Sequence, residues 1–262
     1  MSIEYKHQNH FQYIAPRYRS LRSTDREPIT SIVRELNALR EIKAVDIGCG
    51  TGRYTQVLIK YLRDNLLSMY CIDYSASMLA QLNHSLAKES IHGADSIKAS
   101  ATDLPLGDES ANCIFTFNAV HHFGLIDFLR ETARILQDGG YLFIYTRLRS
   151  QNRRNVWGRF FPLFNSKETR LFELDELESN ITKIPNVRLK HVHRFKFNRE
   201  SSLERLSDRA KCRFYSTFDL YTRSEFNTAL NNFHENLREH FDDPTNIQWF
   251  DENILLTLQK TG

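Results

Sequence analysis

Three glycines at alternate positions follow the first apolar run of this 262-residue sequence. The stretch AVDIGCGTGRYTQVL, residues 44–58, contains Gly48, Gly50 and Gly52, with Asp46 two residues before the first of them. Glycine adopts backbone conformations that other residues avoid, and its missing side chain lets a ligand approach the backbone. An apolar run, a glycine-rich turn and a helix in this order are typical of a ligand site at the carboxyl end of a parallel strand.

The glycine spacing and the acidic residue restrict the kind of ligand. The dinucleotide pattern G-x-G-x-x-G requires a glycine at position 53 or 55, where this chain has Arg53 and Thr55. The carboxylate of Asp46 opposes a pyrophosphate, whereas it attracts a ligand with an ammonium or sulfonium charge. The loop therefore favours S-adenosylmethionine over NAD.

Two later loops contain residues suited to a nucleoside. Asp73 closes the next apolar run, 21 residues after Gly52, about the spacing at which an acidic side chain accepts hydrogen bonds from ribose hydroxyls. Its neighbour Tyr74 can flank the sugar and the base. In the loop SATDLPL, Asp103 can accept from an exocyclic amine and Leu104 offers apolar contact to an adenine ring. Both acids also have a structural interpretation, as a helix cap and as a turn residue.

The fourth apolar run ends in FNAVHHF, which contains His121 and His122. If the ligand is S-adenosylmethionine, transfer of its methyl group would depend mainly on alignment and on exclusion of water, because the sulfonium already activates the donor. A general base is needed only when the acceptor must lose a proton, and a neutral histidine can then serve. The two histidines are candidate catalytic bases, or they only shape the pocket. Neither has acidic or thiolate partners nearby in sequence, so we expect no metal.

The elements that position these residues alternate along the chain. Between about residues 43 and 147, apolar runs alternate with amphipathic stretches, which is typical of strand–helix units that build a parallel sheet. The predicted strands are KAVDI, SMYCID, DSIKAS, ANCIFTFN and GYLFIYTR, and the predicted helices are YTQVLIKYLRDN, SASMLAQLNHSLAKES and LIDFLRETARILQ. We expect the DGG stretch to cap the last of these helices in a left-handed conformation of Gly139 or Gly140.

The pattern changes after residue 149. The segment QNRRNVWGRFFPLFNSKETRLF has no clear period, and we expect it to lie at the surface and not in a core. ELDELESN predicts a short helix, while NVRLKHVHRFKF and IQWFDENILLTLQK predict two late strands at the sheet edge, joined by a mostly helical insertion. Basic side chains in this region can bind an anionic acceptor, contact RNA or remain solvated, and they are Arg147, Arg149, Arg153, Arg154 and Arg159.

The composition is that of a folded protein. Hydrophobic residues make up 41% of the chain, enough for a full core. No apolar run approaches the roughly 18 residues of a membrane span, and the first residues lack a secretion signal, so we expect a cytoplasmic protein. The four cysteines are scattered without zinc-site spacing, so we expect neither disulfides nor a structural metal. The formal charge of +3 is too small to indicate nucleic acid by itself.

Taken in order, the motifs VDIGCGTG, CIDYSASML, ATDLPL, FTFNAVHHF and ILQDGGYLFI resemble those of class I S-adenosylmethionine-dependent methyltransferases. These motifs are most similar to those of the small-molecule branch, which includes the ubiquinone and menaquinone biosynthesis enzymes. The resemblance implies a three-layer α/β Rossmann-like fold. Its seven-stranded, mostly parallel sheet would have the order 3-2-1-4-5-7-6, with the last strand antiparallel and with helical lid elements.

The resemblance also implies roles for individual residues. The methionine part of the cofactor would be held by Asp46, Gly48, Cys49, Gly50, Thr51 and Gly52, with Arg22 as a partner for its carboxylate. The nucleoside part would be held by Asp73, Tyr74, Met78, Thr102, Asp103 and Leu104, and the wall near the sulfonium would be formed by Asn118 and Ala119.

Together these features predict one domain over residues 1–262, with an N-terminal lid segment 1–40 and a helical insertion over about 199–245. The predicted activity is methyl transfer from S-adenosylmethionine to a small organic acceptor, an anionic one among the candidates, with S-adenosylhomocysteine as product. Methylation of RNA is an alternative, weakened because NAVHHF stands where many nucleic-acid amino-methylating members have an Asn/Asp-Pro-Pro-aromatic signature. Another alternative is a protein that binds S-adenosylmethionine without catalysis and acts as a sensor or as a partner subunit.

Overall fold

The computed structural model describes residues 14–19 and 21–262. The strands are β1 (Ile42–Ile47), β2 (Leu66–Asp73), β3 (Ala94–Lys98), β4 (Ala111–Phe117), β5 (Leu136–Thr146), β6 (Val187–Ser201) and β7 (Ile247–Lys260). They form one sheet in the order β3-β2-β1-β4-β5-β7-β6. The predicted strand order is therefore confirmed.

Helices connect these strands in the described part of the chain. The α-helices are α1 (Glu27–Glu35), α2 (Thr55–Leu62), α3 (Ala76–Lys88), α4 (Leu125–Ile135), α5 (Arg149–Asn152), α6 (Val156–Phe160), α7 (Phe164–Lys167), α8 (Leu174–Ile181), α9 (Leu203–Lys211) and α10 (Arg223–His240). Short 3-10 turns are Leu36–Ala38, Val120–His122 and Ser216–Leu220. Residues 14–19 are also helical.

The pairing of the strands brings the predicted site residues to one edge of the sheet. β1 pairs in parallel with β2 and with β4, so that Asp46 lies beside Cys71 on one strand and Phe115 on the other. β7 runs antiparallel to β5, as expected. Because the carboxyl ends of parallel strands meet at the same edge, the loops that follow β1, β2, β3 and β4 lie together there.

The sheet is packed with apolar side chains that belong to its central strands. Phe115, Phe143 and Tyr145 are at most 1% exposed, and Leu58 of α2 is fully buried. The Phe115 and Phe143 rings stack with their centroids 5.6 Å apart. Burial of a side chain of this size stabilises the fold by about 1.5–3 kcal/mol, which holds the ends of β1 and β4 in place for the site.

The predicted helix cap at the DGG stretch is wrong. α4 ends and β5 begins directly at Leu136, so these residues lie inside the strand. The pairing of β5 with β4 shifts there, because Ala111 lies opposite Leu136 whereas Cys113 lies opposite Tyr141. Gly139 does have a positive φ, of +78°. Its left-handed conformation serves an irregularity in the strand and not a helix end.

The aromatic segment 151–172 does not lie on the surface as predicted. It forms α6 and α7, and its Trp157, Phe161 and Phe164 side chains are each at most 3% exposed. Trp157 stacks on Phe233 of α10, with ring centroids 5.2 Å apart. The prediction failed because the apolar partners of this segment come from a helix far along the chain, which local periodicity cannot reveal.

The contacts within the chain divide it into two compact units. Unit 1 consists of the described residues up to Arg22, together with Arg147–Glu173 and Lys196–Asn253. Unit 2 consists of Ser23–Thr146, Leu174–Phe195 and Ile254–Gly262. The single domain and its lid remain predictions, and positions 1–13 and 20 of the expected lid segment lie outside the described residues. Helices α9 and α10 fall within the expected helical insertion.

The four cysteines carry free thiols. Within residues 14–19 and 21–262, no group of three or more His, Cys, Asp or Glu side chains could hold a metal ion. The described helices include none with both the length and the apolar character needed to cross a membrane.

Candidate active site

The glycine loop between β1 and α2 is built as a tight, left-handed turn. Gly48, Gly50 and Gly52 have φ values of +70°, +55° and +72°. A Cβ at Gly48 would lie 2.6 Å from the Cβ of Ala119, and one at Gly52 would lie 2.1 Å from Leu82, so packing excludes side chains at both. A Cβ at Gly50 would meet nothing within 4 Å. Gly50 therefore faces the open space where a ligand can lie against the backbone.

Asp73 connects the glycine loop to the end of β2. Its Oδ2 accepts a hydrogen bond from the Gly50 N–H, and its Oδ1 accepts one from the Ser75 N–H, both at 2.8 Å. Burial raises the pKa of this carboxyl, and the two backbone hydrogen bonds oppose the rise. Each carboxylate oxygen keeps a second lone pair, so Asp73 can still accept from ligand hydroxyls.

Asp46 is the most deeply buried acid of the site, at 1% exposure. Its Oδ2 accepts a hydrogen bond of 2.5 Å from the hydroxyl of Thr55, at the start of α2. Its Oδ1 is buried and has no hydrogen-bond partner among the described residues. Burial raises the pKa to about 7, the Thr55 hydrogen bond opposes this, and the charge of Asp73 adds to it. A buried carboxylate oxygen without a partner fits a cationic or hydrogen-bond-donating ligand.

The loop after β3 positions Thr102, Asp103 and Leu104. The Thr102 hydroxyl shares a hydrogen bond of 2.9 Å with that of Ser100, while the Asp103 side chain is exposed. The Leu104 N–H donates to Oε2 of Glu131 on α4 at 2.9 Å. Sequence reasoning missed this anchor, because the acceptor lies on a helix 27 residues later.

The remaining nucleoside candidates are Tyr74 and Met78. Tyr74 is 55% exposed at the end of β2, where its ring is accessible to a ligand. Met78 lies in the first turn of α3 and is 1% exposed, and its N–H is capped by the Ser75 hydroxyl at 3.4 Å. The buried position of Met78 makes it a packing residue of α3 in this structure, and its contact with a ligand stays a prediction.

The loop after β4 lies directly against the glycine loop. Asn118 has a φ of +54°, and its N–H donates to the Tyr145 carbonyl on β5 at 2.7 Å. Next to it, Ala119 fills the space beside Gly48. This contact places Asn118 and Ala119, predicted to form the wall near the sulfonium, next to the glycine loop. The arrangement follows from the position of β4 beside β1 in the sheet.

His121 and His122 form a short 3-10 turn after Ala119. Both rings are half-buried, with centroids 4.1 Å apart. The Nδ1 atom of His121 is buried. Their role as bases stays a prediction.

A third basic group at the site was not foreseen from the sequence. Arg53 follows the glycine loop, and its guanidinium lies over the Tyr54 ring, 4.6 Å from the centroid. Its Nη1 donates to the Thr24 hydroxyl at 3.3 Å, while its buried Nε has no hydrogen-bond partner among the described residues. The sequence feature that could have identified Arg53 as a site residue is its position directly after Gly52 in the loop. A guanidinium here is suited to a carboxylate.

Arg22, predicted to bind the cofactor carboxylate, is held within unit 1. Its Nη2 donates to the Phe214 carbonyl at 2.6 Å. The guanidinium also lies over the rings of Tyr18, Phe214 and Tyr215, at 4.3 Å from the centroid of the last. These contacts do not test its predicted role, which remains a proposal.

Most arginines of the 147–159 region have partners within the protein. Arg147 pairs with Asp251 at 2.9 Å, and Arg154 pairs with Glu252 at 2.6 Å. Arg149 donates from Nε to the Leu171 carbonyl at 3.0 Å. These contacts weaken the interpretation of the segment as a free basic surface for RNA.

Residues 45–144 match the family described as a methyltransferase domain. A ubiquinone/menaquinone biosynthesis C-methyltransferase of Campylobacter jejuni is 30% identical over 43% of this chain and 47% of its own length. A probable tRNA methyltransferase 9B of Homo sapiens is 30% identical over 42% of this chain and 22% of its own length. The matched part thus spans less than half of either curated relative.

A solved structure extends the likeness beyond the matched sequence. The crystal structure of a proposed methyltransferase from an antibiotic biosynthesis pathway of Anabaena variabilis superposes with a TM-score of 0.68. It covers 90% of this chain and 98% of that one at 21% identity, which is a likeness of fold. Residues 45–144 therefore match a methyltransferase domain family, and the fold of the chain is that of the solved methyltransferase structure.

Proposed function

We propose that the protein binds S-adenosylmethionine on the glycine loop and transfers its methyl group to a small organic acceptor. The observation that carries the proposal is the buried Oδ1 of Asp46, which has no hydrogen-bond partner among the described residues, next to a loop whose central glycine faces open space. A buried carboxylate oxygen that lacks a hydrogen-bond partner is unfavourable in the free protein. A cationic ligand removes that cost, whereas a pyrophosphate increases it.

Each part of the site has a task in this function. S-adenosylmethionine supplies a methyl group that its sulfonium has already activated. Asp46 attracts the positive charge of the methionine part, and Arg53 binds its carboxylate. Asp73 accepts from the ribose hydroxyls, and the loop Thr102–Leu104 contacts the adenine.

The protein's contribution to the reaction is alignment and exclusion of water. Asn118 and Ala119 form a wall beside the glycine loop that restricts the acceptor's approach. For an oxygen or nitrogen acceptor, a ring nitrogen of His121 or His122 takes the proton that the acceptor loses. For a carboxylate acceptor no base is needed, because the nucleophile is already ionised.

A second candidate acceptor is RNA, favoured by the human tRNA methyltransferase relative. The internal partners of Arg147, Arg149 and Arg154 argue against it. Transfer of a radiolabelled methyl group to a panel of small acids, alcohols and phenols, compared with transfer to total tRNA, distinguishes the two. Cofactor binding without any transfer would favour a sensor or partner subunit.

The cofactor assignment is tested by titration calorimetry with S-adenosylmethionine, S-adenosylhomocysteine and NAD. We expect the first two to bind and NAD not to bind. Asp73→Ala should weaken binding by about 1–3 kcal/mol, because it removes hydrogen bonds to a charged acceptor. Asp95→Ala, an exposed acid on the neighbouring strand β3, is the matched control and should leave binding unchanged. Equal affinity of the wild type and Asp73→Ala would refute the role of Asp73.

A further inference from the structure

Three arginines of unit 1 converge on one phenol ring. Arg147 donates from Nη1 to the Tyr215 hydroxyl at 3.2 Å. The Arg22 guanidinium lies over the same ring, 4.3 Å from its centroid. Arg209, near the end of α9, adjoins this ring along the chain, since its carbonyl accepts a hydrogen bond from the Phe214 N–H at 3.2 Å. We refer to Arg22, Arg147, Arg209 and Tyr215 as the Tyr215 cluster.

The acidic side chain nearby does not balance this charge. Asp251 pairs with Arg147 at 2.9 Å and with Arg199 at 3.2 Å, so its single negative charge is shared by two arginines. Within residues 14–19 and 21–262, Arg22 and Arg209 form no ion pair. The cluster therefore carries an excess of positive charge.

This excess charge is partly withdrawn from water. Arg209 is half-buried, and burial lowers its pKa, with Tyr215 and Asp251 opposing the effect. The Nε atom of Arg22 is buried and has no hydrogen-bond partner among the described residues. Desolvation of a guanidinium without a counter-charge destabilises a protein unless a ligand supplies the charge. The two groups together point to an anion.

An apolar wall adjoins the cluster. The Tyr215 ring packs against Phe214 at 4.1 Å between centroids, and against Phe164 at 6.0 Å. Trp157 approaches its edge at 6.5 Å. These three rings are buried and support the half-buried Tyr215 ring from behind. A ligand with both an anionic group and an apolar body would contact the guanidinium groups and the Tyr215 ring at once.

We propose that the Tyr215 cluster is a binding site for the carboxylate or phosphate of an amphipathic small molecule. Guanidinium groups bind both anions through paired N–H donors, so the chemistry is shared. The binding of this anion does not depend on the proposed function.

The test is calorimetry on the full chain with octanoate, octyl phosphate and 1-octanol as probes. We expect at least one of the two anions to bind and the uncharged octanol to bind at least tenfold more weakly. The preferred anion identifies the class of the natural ligand. Arg209→Met should weaken binding of that anion at least tenfold. The matched control is Arg223→Met, which removes the same charge from an exposed position of α10 and should change the affinity less than twofold.

Two further measurements separate this site from a structural role and from the cofactor site. The melting temperature of Arg209→Met should equal or exceed that of the wild type, because a charge without a counter-ion has been removed. Saturating S-adenosylhomocysteine should not displace the anion. The proposal is overturned if neither anion binds, if Arg223→Met loses as much affinity as Arg209→Met, or if S-adenosylhomocysteine displaces the anion. Anion binding without S-adenosylhomocysteine binding would uphold this site and refute the proposed function.

Discussion

Two carboxylates at the glycine loop have different surroundings, and the difference determines what each can do. Asp73 accepts two backbone hydrogen bonds and holds the loop in place. Asp46 has one buried oxygen without a partner among the described residues, and its pKa is about 7. Near neutral pH, Asp46 is therefore protonated in about half of the molecules that hold no ligand. A cationic ligand favours its ionised form.

Cofactor binding should therefore strengthen as the pH rises through 7. For a ligand that requires ionised Asp46, the apparent affinity should increase about tenfold between pH 6 and pH 8. Calorimetry with S-adenosylhomocysteine across this range measures the effect, and proton release near pH 7 should accompany binding. Asp46→Asn should bind more weakly and lose the pH dependence, whereas the exposed Asp95→Asn should keep it. A flat profile in the wild type would contradict the role of Asp46.

The raised pKa also has a cost for the free protein. Because the folded state holds this proton to a higher pH than the unfolded chain, the unfolded state binds fewer protons between about pH 4 and pH 7. The contribution of Asp46 to the free energy of unfolding therefore falls as the pH rises through that window. Such a cost is typical of a group kept for function and not for stability.

At the scale of elements, the turn from β1 to α2 shows why glycine occurs three times. Gly48 and Gly52 are required by the close approach of Ala119 and Leu82. Gly50 shares their left-handed backbone but has no neighbour that a Cβ would meet. The space beside Gly50 is thus the part of the turn that is available to a ligand. A substitution at Gly50 therefore tests ligand binding without a clash with neighbouring side chains.

Gly50→Val should abolish cofactor binding because the side chain fills this space. Gly93→Val is a matched control, since Gly93 also has a positive φ, of +81°, and open space around its Cβ position, in the turn before β3. Both variants should lose a similar amount of stability, roughly 1 kcal/mol, from backbone strain. Only Gly50→Val should lose S-adenosylhomocysteine binding in calorimetry. Normal binding by folded Gly50→Val would mean that the ligand lies elsewhere.

At the scale of the whole molecule, the chain passes repeatedly between its two units. The strands β6 and β7 each contribute residues to both units, because the divisions fall at residues 195/196 and 253/254. Both tryptophans, Trp157 and Trp249, belong to unit 1, while the glycine loop belongs to unit 2. Tryptophan fluorescence therefore reports on one unit, and the proposed cofactor acts on the other.

Unfolding should be a single cooperative transition. Since two strands are continuous through both units, loss of one unit should disrupt the other. S-adenosylhomocysteine at a hundredfold excess over its dissociation constant should stabilise the protein by about 2.7 kcal/mol. Far-ultraviolet circular dichroism and tryptophan fluorescence should show the same increase in melting temperature, with NAD as the inactive control. A shift seen only by circular dichroism would show that the units unfold independently.

Much of the fold and of the candidate cofactor site could be predicted from local sequence. Alternating apolar runs located the strands, and β7 has the bounds of the predicted IQWFDENILLTLQK. The loop residues from Asp46 to Gly52, together with Asp73 and Ala119, do meet at one edge of the sheet. This succeeded because strand periodicity, glycine conformation and the geometry of parallel strands act over short stretches of chain.

Tertiary structure alone decided which polar groups have partners and which charges remain unbalanced. The orphaned oxygen of Asp46 and the Glu131 anchor of the third loop depend on burial and on helices that follow later in the chain. The grouping of Arg22, Arg147 and Arg209 around Tyr215 joins three segments that are far apart in the sequence. Burial and electrostatic balance are properties of the packed molecule, and a linear pattern carries no information about which distant groups pack together.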